Sequence, residues 1–101
     1  MNGIRLSQLK SEADEYSKFT VIVKSIFSPI GITARFDRIM VNLGASPFIG
    51  LKYNDSYMCI RNIKSIRRSK IETESCSYRL SCLDAEYDPP VRKQIELVCE
   101  K

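Results

Sequence analysis

Five cations, Arg61, Lys64, Arg67, Arg68 and Lys70, fall within ten consecutive residues that contain no acidic side chain. That run carries +5 while the 101-residue chain carries +4, so the other 91 residues sum to −1. Charge concentrated in this way is a local field, and a local field attracts anionic groups. Two kinds of partner fit: carboxylates on a protein surface, or nucleic-acid phosphates, whose neutralisation releases counterions. No aromatic residue lies inside the run, so a base-stacking platform is not expected there. A row of Lys and Arg also suits a solvated edge strand, where it discourages pairing with another chain. On a strand, Lys64, Arg68 and Lys70 are expected on one face and Arg67 on the other, with Ile63, Ile66 and Ile71 turned inward. Reversing Arg67 and Arg68 to Glu is then expected to abolish binding and spare the fold.

A second candidate surface is Asp84-Ala85-Glu86-Tyr87-Asp88, followed by Pro89-Pro90. Asp84, Glu86 and Asp88 surround Tyr87 in a connection stiffened by two prolines. A tyrosine among carboxylates fits a basic cleft, and exposed loops often carry function.

Signatures of catalysis are missing. The chain has no His, hence neither the commonest general base nor the commonest metal ligand. Gly3, Gly31, Gly44 and Gly50 form no phosphate-binding pattern. Cys59, Cys76, Cys82 and Cys99 include no Cys-x-x-Cys pair, the close spacing usual in structural zinc sites. They read as reduced thiols in the core. The expected protein is not an enzyme and uses no cofactor or metal. No run approaches the ~20 apolar residues that span a bilayer, and Met1 to Leu6 lack the apolar region of a signal peptide. A cytoplasmic protein without a membrane partner is expected.

The elements that must position these residues follow from apolar spacing. Leu6, Leu9, Ala13, Tyr16, Thr20, Val23 and Phe27 recur every three or four residues, which predicts a helix from Leu6 to Phe27, capped by Ser7 or Ser11. The β-branched run Thr20-Val21-Ile22-Val23 opposes it. Ser28-Pro29-Ile30-Gly31 is expected to stop the helix. Period two follows: Ile32 to Leu43 with a bend at Asp37-Arg38, then a hairpin of Phe48 to Tyr53 with Tyr57 to Ile60. Asn62 is expected to bend the chain into Lys64 to Ile71, and Cys76 to Cys82 and Val91 to Cys99 complete the strands.

These elements predict one α+β domain over 1–101, with the helix and its stop in 1–31 and an antiparallel meander in 32–101. The helix would cover five or six strands forming a curled sheet or small partly closed barrel. The expected function is a small non-catalytic binding protein of inhibitor or adaptor type. It would engage an acidic surface of a larger protein or protein–nucleic acid assembly through the basic stretch. Direct binding to a nucleic-acid backbone is the alternative, and a structural subunit that self-associates into a homo-oligomer is the third.

Overall fold

The structure, a computed structural model, describes residues 3–25, 28–84, 89 and 91–101. Among these residues one helix, α1 (Leu6–Ala13), precedes eight strands: β1 (Lys18–Ser25), β2 (Ser28–Phe36), β3 (Arg38–Asn42), β4 (Phe48–Tyr53), β5 (Ser56–Ile60), β6 (Ile63–Ile71), β7 (Ser75–Asp84) and β8 (Val91–Glu100). The α+β class agrees with expectation. In place of one meander there are two antiparallel sheets, ordered β2-β1-β8-β7-β6 and β3-β4-β5, and the described residues close no barrel. No described helix is long and apolar enough to cross a membrane.

The main departure is at the helix. It ends at Ala13, and the segment expected to continue it is β1. Helical spacing is correct for Leu9 and Ala13, which are both buried. Beyond them Phe19 and Val21 are buried, alternating with Lys18, Thr20 and Ile22. The β-branched run therefore follows its intrinsic preference, stabilised by pairing with β2 on one side and β8 on the other. Phe27 lies outside the described residues. Ser28 to Gly31, expected as a helix stop, open β2. The cap also differs. Arg5 is the N-cap, and its backbone N–H donates to Gln8 Oε1 at 2.9 Å, the returning half of a capping box. Ser11 instead donates to the carbonyl of Ser7.

The bend expected at Asp37-Arg38 is where the chain leaves one sheet for the other. β2 ends at Phe36, β3 begins at Arg38, and the Asp37 N–H donates to the Lys52 carbonyl at 3.1 Å. The β4–β5 hairpin forms as expected around Asn54, whose φ is 50°, a conformation Asn tolerates better than most residues. Asn62, with φ 56°, makes the corresponding turn into β6.

The two sheets and α1 share one apolar cluster. The large sheet contributes Phe19, Val21, Leu80, Ile95 and Leu97; the small sheet contributes Val41, Ile49, Leu51 and Ile60; the helix adds Leu9 and Ala13. Cys76, Cys82 and Cys99 lie in the same cluster, and all four cysteines are free thiols. Burial pushes the Cys82 thiol up to about 11 and the Cys99 thiol up to about 12. Neither is then appreciably thiolate at neutral pH.

Candidate functional site

The basic stretch is divided by its geometry. Arg61 lies in the two-residue connection between β5 and β6, and the other four cations are on β6. Irregularities in the β6–β7 register fall between Ile63 and Ser65 and between Arg68 and Lys70. Each inserts a residue and reverses the facing of those after it. Arg68 stands opposite the buried Tyr78, on the same side as Ile66, while Arg67 stands opposite Arg79 and Lys70 opposite Ser77. The expected single face of Lys64, Arg68 and Lys70 does not form. Ile71, expected to point into the core, is 71% exposed.

Two of the five cations are neutralised internally. The Arg68 guanidinium holds both oxygens of Glu12 on α1, with Nε donating to Oε1 at 2.9 Å. Tyr78 donates its hydroxyl to the same Oε1 at 2.7 Å. Arg68 is the main cause that lowers the Glu12 carboxyl below its ordinary value, opposed by partial burial and aided by Tyr78. Burial, followed by neighbouring thiol and carboxylate groups, pushes the Tyr78 phenol far up, so it is a neutral donor. This junction ties α1 to β6 and β7. Reversing Arg68 to Glu would set carboxylate against carboxylate, so the double reversal expected to spare the fold should damage it. Lys70 pairs with Glu72 at 2.8 Å on the open surface, a kind of pair that contributes little.

Arg61, Lys64 and Arg67 have no ion pair to a carboxylate among the described residues. Arg61 and Lys64 line an open cleft of about 520 Å³ with Ile4, Leu6, Pro47, Ile63 and Ile66 among its walls. Among the described residues, no acidic side chain lines it. The N-terminal wall is fixed along β6: Gly3 bridges to Arg67, and the Ile4 N–H donates to the Ile66 carbonyl at 3.0 Å. Arg61 also lies over the Phe48 ring, 5.3 Å from its centroid, which holds the guanidinium at the cleft mouth. Arg67 is directed elsewhere, into a shallow hollow with Arg68, Ser69 and Arg79.

Of the acidic surface, Glu86, Tyr87 and Asp88 lie outside the described residues, and Asp84 is the last residue of β7. Among the described residues, no group of three or more His, Cys, Asp or Glu is placed to hold a metal ion.

Sequence reasoning missed two features. The Glu12–Arg68–Tyr78 junction joins residues 56 and 66 positions apart, and nothing local signals it. The other is the outward face of β4 and β5, where Phe48, Gly50 and Lys52 alternate beside Tyr57, Cys59 and Arg61. Its signal was the period of two in the hairpin. No protein-family model matches the chain, and neither does any curated protein or solved structure.

Proposed function

We propose that the protein is a non-catalytic binding protein, of inhibitor or adaptor type, acting in the cytoplasm. It takes an acidic, partly apolar segment of a larger protein or nucleic-acid-handling assembly into the cleft beside β6. The observation that carries this reading is the convergence of Arg61 and Lys64 on a cleft of mixed lining, with Ile4, Leu6, Pro47 and Ile63 beside Ser46, Asn62 and Ser65, and no carboxylate among the described residues that line it. Its apolar part favours a protein segment over a bare polyanion, because phosphate backbones offer nothing to bury against Ile4, Leu6, Pro47 and Ile63. The two cations supply orientation and on-rate more than raw affinity. Reduced thiols agree with a cytoplasmic setting.

The test is capture from a nuclease-treated extract of the producing cells, with proteins identified by mass spectrometry. Wild-type protein should retain a partner that the variant R61E/K64E loses while keeping its thermal midpoint. Retention by that variant contradicts the reading. Direct binding to a nucleic-acid backbone is favoured by one separate observation. Arg67 and Arg79 are cross-strand neighbours, with Glu96 opposite Arg79 on its other side, and an anion between the two arginines would relieve their like charge. That reading requires R67E, rather than R61E/K64E, to remove binding.

A further inference from the structure

The three-stranded sheet turns one face to the core, and no described element covers the other. Ile39, Val41, Ile49, Leu51 and Ile60 belong to the core side. Alternation places Arg38 and Met40 of β3, Phe48, Gly50 and Lys52 of β4, and Tyr57 and Cys59 of β5 on the other. Across this face Lys52 stands between Arg38 and Tyr57, and Gly50 stands between Met40 and Cys59. Tyr57 is 60% exposed and Met40 57% exposed.

Gly50 is the low point of the face. A Cβ there would meet the Tyr57 hydroxyl at 3.1 Å, the edge of its ring at 3.4 Å and the Phe48 ring at 3.6 Å. The two rings thus border one bare backbone position on the central strand. Covering a glycine in a sheet explains why Tyr57 leans inward. It does not explain why so much of the Tyr57 ring stays exposed, nor why every charged side chain on the face is a cation. Arg38 and Lys52 lie at one end and Arg61 over Phe48 at the other. Asp37, between β2 and β3, and Asp55, in the β4–β5 turn, share a hollow with Arg38 and Lys52 at that end of the face.

We infer that this face binds single-stranded nucleic acid, with a base stacking on Tyr57 and phosphates meeting Arg38, Lys52 and Arg61. An accessible aromatic ring flanked by cations matches the two things a single strand offers and a duplex does not, an open π-face beside a flexible phosphate chain. A protein partner with acidic side chains would use the cations but leave the Tyr57 ring without a planar partner. The inference goes beyond the cleft reading and does not rest on it. Together they describe an adaptor that holds an acidic protein segment on one side of Arg61 and a single strand on the other.

The test is fluorescence polarisation with a short labelled oligothymidine, a duplex of equal length, and an acidic peptide of equal charge. The single strand should bind more tightly than the other two, with a log–log salt slope of about 2 for three phosphates neutralised. Tyr57→Ser should weaken it about tenfold, and Lys52→Glu should weaken it further. Lys64→Glu, which alters the cleft, should leave it unchanged. Tyr57→Trp keeps a ring and adds a reporter to a chain without Trp. It should bind like the wild type, with its indole emission quenched by the stacked base. No single-strand binding, equal binding of the duplex, tighter binding of the peptide, or unquenched indole emission from Tyr57→Trp at saturation would each overturn the inference.

Discussion

The two sheets use the same alternation and put different chemistry on their outward positions. Outward residues of the large sheet include Thr20, Arg35, Arg67, Arg79, Gln94 and Glu96, polar and of both charge signs, with Ile22 and Val98 half-buried among them. The small sheet presents Phe48, Tyr57 and Met40 with Arg38, Lys52 and Arg61, and no carboxylate on the face itself. The first pattern is that of a surface meant to stay in water. The second leaves Met40 and most of the Tyr57 ring in water, more than covering Gly50 requires, which is expected where a partner covers them. β6 shows the same contrast within one strand. Arg68 is a structural cation held by Glu12, whereas Lys64 faces an open cleft.

Truncating side chains in each part should separate structural groups from binding groups by their effect on stability. Leu9 is wholly buried beneath the helix, and Leu9→Ala should cost roughly 2–5 kcal/mol in chemical denaturation. A change within about 0.5 kcal/mol, ordinary for surface sites, would mean that α1 is not part of the core. Next comes the junction. Glu12→Ala strands a guanidinium and a phenol, and should cost about 1 kcal/mol after allowance for solvent screening.

The junction also has a pH signature. The folded state lowers the Glu12 carboxyl below its ordinary 4.5. Its stabilisation is therefore complete above that value and is lost as pH falls through the lowered one. Thermal midpoints of wild type and Glu12→Gln should differ most near neutral pH and converge in acid. A constant gap would remove Glu12 as a titrating contributor. The smallest effect belongs to the exposed pair: Lys70→Ala should leave the thermal midpoint unchanged, and a clear drop would show that Glu72 needs it.

Much of this arrangement is legible in the residues. The hairpin of β4 and β5, strands β7 and β8, and the turn at Asn62 follow from period two and from turn residues. Helix length is not legible, because Tyr16, Thr20 and Val23 fit a helical stripe by spacing while Phe19 and Val21 fit a strand. Pairing of β1 with β2 on one side and with β8, from the far end of the chain, on the other decides for the strand. The basic stretch is legible as charge but not as geometry. The register irregularities near Lys64 and Ser69 set which cations face together, and a bulge has no reliable residue signature here. The aromatic face is hidden for a similar reason. No aromatic lies within residues 61–70, and only the folded hairpin brings Phe48 and Tyr57 beside Arg61.

The most direct measurement is amide chemical-shift mapping of the isotope-labelled protein as the captured partner is added. Shifts should concentrate at Ile4, Leu6, Arg61, Ile63, Lys64 and Ser65, with Arg67, Lys70 and Arg79 unmoved. Shifts centred on Arg67 and Arg79, with the cleft residues silent, would contradict the assignment of the cleft as the binding site.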